Sequence, residues 1–375
     1  MPQDPLRPTV PSTSRSAARE RPTVLLTGGS GVLGRALIDE LSPDFDLVCL
    51  RRNRPLNDPR VREIQGDLLS PSLGLTPAAR HRLALEVDVV LHSAAETSFR
   101  TPPKDIVRTN THGTETMLDL AARADAPMYL VSTAFVASAL TEEDRQRFPG
   151  AAAYLDSKIT SEQMMRTSGL PGAIVRPSVV MGDSVTGRIS AQQGLTKAIG
   201  SVVLGQVPVL PGEFDSRIDM IPQDLVTRAI GDLIRGGVSK GEYWLTAGEQ
   251  APLLREITDI CEEFAVQHGL PRPARLRLIP VDAVHRLLLP MLEDTPLPRS
   301  MRQRFQSYAE LLLVFQRELP FDTSLGGPDC GSRPVRADIY QALVRNLESW
   351  AEMHSALLRR HRVRAAGASP AEVAS

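Results

Sequence analysis

Residues Thr23–Gly34 read T-V-L-L-T-G-G-S-G-V-L-G, and the fold is decided here. Thr23–Leu26 is a short apolar run of β-formers and predicts a strand. The chain then turns through Thr27, Gly28, Gly29, Ser30 and Gly31. Leu33, Leu37 and Leu41 recur every four residues, which predicts a helix with one apolar face. Glycines in such a turn let the backbone come close to a pyrophosphate. The helix start beyond them, at Val32, Leu33 and Gly34, offers unpaired N–H groups and a positive dipole end to that anion. Gly29-x-Gly31-x-x-Gly34 fits the general dinucleotide fingerprint, and Thr27-Gly28-x-x-Gly31-x-x-Gly34 is a second register. A glycine turn alone also serves as a tight bend before a packed helix, so the rest of the chain must agree.

Composition sets the frame. With 375 residues, 42% hydrophobic, 23% charged and a net charge of −1, the chain is an ordinary globular protein of one large or two smaller domains. It carries no basic excess that would suggest nucleic acid. Cys49, Cys261 and Cys330 form neither a metal pattern nor an even disulfide set, so no metal is expected and a reducing, cytoplasmic setting is. The most apolar run, Ile199–Leu210, is broken by Gly205, Gln206 and Pro208, so no transmembrane segment is expected. The expected organisation is a disordered Pro/Ser/Arg leader over 1–20 and a Rossmann domain over 21–250. Within it, 181–222 contributes to the substrate side. A mostly helical part over 251–364 and a disordered tail over 365–375 complete the chain.

Between these limits strands and helices alternate. Asp46–Leu50 is a strand ending in Arg51-Arg52-Asn53-Arg54. An acid at the end of that strand would bind the 2′-hydroxyl of NAD, whereas arginine accommodates the 2′-phosphate of NADP. Arg51 and Arg52 therefore favour NADP(H). Val61–Gln65 is a strand followed by Gly66-Asp67-Leu68, where Asp67 either reaches an adenine or caps a turn. Val87–His92 is a buried strand leading into Ser93-Ala94-Ala95, small enough for a cofactor to lie against. Helices follow over 77–85, 103–124 and 154–166, with strands at 128–132 and 173–175. This alternation predicts an α/β, doubly wound parallel sheet with helices on both faces and ligands beyond the carboxyl ends of its strands.

Tyr154 and Lys158, four apart on a helix, project from one face. A nearby ammonium is expected to lower the phenol pKa and make Tyr154 a proton donor to an oxygen that gains charge as hydride arrives. A hydroxyl at the adjacent strand end, Ser132 or Thr133, can hold the same oxygen.

With these residues in place, the chain resembles the extended short-chain dehydrogenase/reductases. Finer motifs resemble their fatty acyl-CoA reductase and thioester reductase branch: Gly66–Leu75, His92–Phe99, Val131–Val136, Arg176–Gly187 and Ile218–Val226. The resemblance implies that Thr133, Tyr154 and Lys158 are catalytic and that Asn110 supports the lysine through water. It implies cofactor contacts from Thr27, Gly28, Gly31, Val32, Leu33, Gly34, Arg51, Arg52, Asp67, Leu68, Ser93, Ala94, Ala95, Pro177 and Val179. It implies an NADPH-dependent reductase of an acyl-CoA or of an acyl chain on a carrier protein, giving an aldehyde or alcohol in lipid metabolism. Alternatives on the same scaffold are a sugar-nucleotide or sterol-type dehydrogenase or epimerase, and a non-catalytic NADP sensor. Past Gly248 the resemblance fades. Helical stretches are expected over 253–266, 281–292, 299–316 and 335–358. The basic run Arg359–Arg364 ends a solvated helix or lands on an anionic surface, as a peripheral membrane or carrier-protein contact.

Overall fold

A computed structural model describes residues 21–190, 194–207, 209–273, 276–279, 310, 311, 314 and 320–367. The expected leader, the last residues of the tail, the helix over 281–292 and most of that over 299–316 lie outside the described residues. Eleven strands are described: β1 Thr23–Thr27, β2 Asp46–Arg51, β3 Val61–Gln65, β4 Val89–His92, β5 Met128–Val131, β6 Gly172–Pro177, β7 Val179–Met181, β8 Val209–Pro211, β9 Met220–Pro222, β10 Glu242–Leu245 and β11 Arg277–Ile279. Seven of them form one sheet in the order β10-β6-β5-β4-β1-β2-β3, with every pairing parallel. The order reverses between β1 and β4. That is the place where a doubly wound sheet opens a crevice for ligand.

Both faces of the sheet are covered. Helices α1 Gly34–Leu41 and α2 Pro77–Glu86 precede α3 Pro103–Val107, a π-turn over Arg108–His112 and α4 Gly113–Ala124. The single helix expected over 103–124 is thus one helical run in three pieces, with Asn110 in its π-turn. Then come α5 Glu142–Arg147, α6 Pro149–Thr167, α7 Gly194–Val203, α8 Gln223–Arg235, α9 Leu254–Gln267, α10 Arg336–Met353 and α11 Ser355–Gly367. Leu33, Leu37 and Leu41 are buried as their spacing predicts, and α1 packs with α8 on one face. Leu83, Met117, Leu120 and Met165 fill the other face under α2, α4 and α6. The sequence reading had placed no helices at α5, α7 or α8.

Among the described residues, the region after residue 250 adds no separate core. Leu254, Ile257, Cys261, Leu343, Leu347 and Trp350 join the same apolar cluster as Val24, Leu26 and Leu91. Asp322-Thr323-Ser324 borders the exposed side of β10: Ser324 N–H donates to Trp244 O at 2.7 Å, and Trp244 N–H donates to Ser324 Oγ at 2.9 Å. A sheet edge left open would invite pairing with another chain.

The turn after β1 depends on backbone contact. Gly28 has φ +81°, and a Cβ there would lie 2.7 Å from Ala94 N. A Cβ on Gly34 would collide with the carbonyl oxygens of Gly29 and Gly28. Gly34→Ala is therefore expected to cost about 1–3 kcal/mol of stability and to weaken dinucleotide binding. Urea titration with fluorescence detection checks this; an unchanged midpoint would show that α1 and the turn are not in contact.

Candidate active site

The carboxyl ends of β1, β4, β5 and β6 bring the sequence-predicted residues to one crevice. At its floor, Thr27 Oγ1 accepts the N–H of Ala94 at 3.2 Å and lies 2.7 Å from His92 Nδ1. The hydroxyl keeps its proton and a second lone pair for this contact, so it can bond either neutral tautomer of His92. Burial, reinforced by the charge of Lys158, pushes the His92 pKa down to about 3. This neutral bridge joins β1 to β4 under the glycine turn. Ser93, Ala94 and Ala95 are half-buried just beyond it. Leu33 is part of the core, so only its backbone faces the turn. Leu68 is half-buried and packs against the core beside Gly113.

Asp67 caps its own turn, with Oδ1 accepting Leu69 N–H at 3.0 Å. That cap is one of the two roles the sequence leaves open for it. The arginines after β2 differ from each other. Arg51 Nε lies 2.9 Å from Glu63 Oε2 on β3. Sequence reading saw no acid here because Glu63 is twelve residues downstream and meets Arg51 only through strand pairing. Arg52 is exposed and has no ion-pair partner among the described residues.

The catalytic candidates lie on the other side of the crevice. Thr133 follows β5; its Oγ1 accepts Phe135 N–H at 3.4 Å, and its hydroxyl is near enough to Tyr154 to favour the phenolate. Ser132 is buried, and its Oγ has no partner among the described residues. Lys158 is buried, and its Nζ donates to Val131 O at 2.7 Å. Burial pulls the Lys158 pKa down to about 8, with Glu162 opposing. One expectation needs correction. Burial raises the Tyr154 pKa to about 12, and the Thr133 hydroxyl only partly offsets it. The ammonium is turned to the Val131 carbonyl, and desolvation of the phenolate dominates. Tyr154 is accordingly neutral at neutral pH and holds a proton to give.

Asn110 does not contact Lys158 directly. Its Nδ2 donates to Glu96 O at 3.1 Å and Ser157 Oγ at 2.8 Å, and its Oδ1 accepts Glu96 N–H at 2.7 Å. It ties the strand end after β4 to the helix that carries Tyr154. Pro177 is buried at the end of β6, and Val179 is half-buried beside Tyr154. Phe99, Phe135, Trp244, Val314 and Phe321 complete an apolar cluster around the tyrosine, with the Phe99 ring centroid 5.6 Å away.

Four charged residues that the sequence reading left without a role hold α6 in place. Arg176 on β6 donates to Glu162 at 2.9 and 2.6 Å and to Glu242 at 2.5 Å. Arg166 donates to Glu162 at 2.7 Å and to Glu242 at 2.6 Å. Arg176 and Glu162 are buried, and the Arg176 guanidinium also lies 4.7 Å from the Trp244 ring. Glu162 stands four residues beyond Lys158, the one sequence signal that it shares the active face. Asp219, also buried, accepts the N–H groups of Ala247 and Gly248 at 2.9 Å each.

Fold and site together resemble those of the extended short-chain dehydrogenases/reductases, a family of nicotinamide-dependent oxidoreductases. Comparisons refine this. A family model described as "Male sterility protein" matches residues 51–230. The chain is 30% identical over 249 residues to a nonribosomal peptide synthetase of Aspergillus flavus, covering 55% of this chain and 24% of that one. It is 31% identical over 249 residues to glycine betaine reductase of Emericella nidulans, covering 56% of this chain and 19% of that one. The terminal R domain of the myxalamid PKS-NRPS pathway superposes with a TM-score of 0.68 at 26% identity, covering 89% of this chain and 91% of that one. The chain is thus similar to the thioester reductase branch of that family. It spans only a small part of the curated relatives' length.

The His92 bridge has a pH signature. Its folded pKa lies below its unfolded value, so the unfolded chain binds the extra proton. The stabilisation is present above about pH 6.5 and lost as pH falls toward 3. Between pH 7 and 5 the parent should lose more melting temperature than His92→Asn, whose Oδ1 can replace Nδ1. Parallel curves would show that His92 is not buried in neutral form.

Proposed function

We propose that this chain is an NADPH-dependent reductase that releases an acyl thioester, carried by CoA or a carrier protein, as an aldehyde. The observation that carries the proposal is Tyr154 with Thr133 near its hydroxyl, set in an apolar aromatic cluster, with the buried Lys158 one helical turn further on. The cofactor fits the chain's own residues: Gly28 and Gly34 leave no room for a Cβ, and the strand end at Ala94 is small. NADPH, when bound, supplies a hydride to the thioester carbonyl carbon. Tyr154 donates its proton to the carbonyl oxygen, and the Thr133 hydroxyl supports the charge that develops there. Lys158, held by Val131 O, places a positive charge next to that step. Collapse of the thiohemiacetal breaks the C–S bond, forms the aldehyde and returns a proton to the departing thiol. A second reduction to the alcohol uses the same groups.

Further parts of the reading rest on single features. Exposed Arg52 favours the 2′-phosphate of NADP(H). Residues 251–364 form the substrate side, since Val314 and Phe321 line the Tyr154 pocket. The buried, unpaired cysteines suit a reducing cytoplasmic compartment. Among the described residues no helix is long and apolar enough to cross a membrane.

NADPH consumption with acyl-CoAs, acyl-carrier proteins and UDP-sugars, with product identification, tests the reading. Turnover of UDP-sugars alone would favour the dehydrogenase or epimerase alternative. Tyr154→Phe should lower thioester turnover on the order of a hundredfold or more, while NADPH titration stays near the parent. Parent-like turnover in that variant would move the proton donor elsewhere.

For the cofactor, Arg52→Ser should weaken NADPH by about tenfold and leave NADH nearly unchanged. Arg51→Ser would additionally strand the charge of Glu63, so it is the less clean variant. Equal losses for both cofactors would sink the NADP assignment.

A further inference from the structure

Arg100, Lys104 and Arg108 are spaced four apart, and all three are exposed. None has an ion-pair partner among the described residues. Lys104 belongs to α3, and Arg108 opens the π-turn with helical backbone angles, so the two share a face. On the opposite side Ile106 is fully buried where α3 packs against α6. The cationic stripe therefore runs along the flank of the helix that carries Tyr154 and Lys158. Its first member follows Phe99, whose ring meets Tyr154. The Phe99 carbonyl presses on Gly150 of α6 so closely that no Cβ fits there. The stripe thus begins next to the aromatic cluster around Tyr154. Asp105, half-buried, is displaced from it by one position. The dinucleotide phosphates have their own groups at the glycine turn and Arg52, across the crevice.

We infer that Arg100, Lys104 and Arg108 hold the phosphate of a phosphopantetheine thiol arm, the group common to CoA and carrier proteins. The inference rests on the thioester reading above. The arm between a thioester and its phosphate is about as long as five extended residues, roughly 16 Å. A phosphate kept at the rim therefore leaves the carbonyl free to reach Tyr154. Exposed cations also make the attraction dependent on ionic strength.

The test compares the parent with Arg100→Ser/Lys104→Ser/Arg108→Ser. Arg82→Ser/Arg228→Ser/Lys240→Ser, at exposed positions on α2, on α8 and just after α8, serves as a charge-matched control. NADPH titration establishes that each variant is folded. By calorimetry the parent should bind 4′-phosphopantetheine about tenfold or more tighter than pantetheine, and the triple variant should lose that difference. Equal binding of the two by the parent overturns the inference, whatever the turnover. In kinetics, KM for acyl-phosphopantetheine, acyl-CoA and acyl-carrier protein should rise about tenfold in the triple variant, with acyl-pantetheine and the control variant unchanged. A rise for acyl-CoA alone would assign the stripe to the nucleotide end and overturn the inference. A rise for the carrier protein without one for acyl-phosphopantetheine would assign it to protein docking and overturn the inference equally. Phosphate-dependent binding in a parent that reduces none of the thioesters would leave the site standing and remove the thioester reductase reading.

Discussion

The contact on which the site depends is the approach of two strand ends, β1 and β4, at the reversal of strand order. Gly28 lies so near Ala94 that a methyl group would meet its backbone nitrogen at 2.7 Å. Thr27 then bridges the same two strands through Ala94 and His92. Each link satisfies a polar group that burial would otherwise leave unpaired, and a buried unpaired group is costly. The result is a rigid floor with small residues on it. Everything proposed for the cofactor follows from that floor.

The opposite wall is positioned by charge. Glu162 and Arg176 are buried, and removing one partner of such a pair leaves an uncompensated charge. With Arg166 and Glu242 they fasten α6 to β6 and β10, so Tyr154 and Lys158 cannot drift along the sheet. Asn110 joins the same helix to the strand end after β4. Geometry at Tyr154 is therefore set by residues that never touch a reacting atom. The apolar cluster around the tyrosine lowers the local dielectric. That explains both a phenol that keeps its proton and a lysine whose affinity for one is reduced.

Several features were legible before any coordinates. The glycine turn, the spacing of Leu33, Leu37 and Leu41, and the alternation of strands and helices belong to local sequence, where period and turn chemistry act over a few residues. Tyr154 and Lys158 were legible for the same reason, since one helical turn separates them. Glu63 beside Arg51, Glu162 on Arg176 and Ser324 on Trp244 were not, because their partners meet only when distant strands and helices pack. The direction of the Tyr154 shift was misread on the same ground. Spacing places an ammonium nearby, but it does not say that Nζ turns to Val131 or that burial outweighs the charge.

By itself, then, the sequence determined the doubly wound α/β fold, the place of the dinucleotide turn and the identity of the tyrosine and lysine, because each is written in neighbours along the chain. Only the tertiary structure decided that Lys158 turns to Val131 and that burial keeps the proton on Tyr154. It also decided which arginine, Arg52 over Arg51, stays unpaired, and that the exposed cations of α3 flank the catalytic helix. These depend on strand register, on which face of a helix is buried and on solvent exclusion, and all three arise from contacts between residues far apart in the chain.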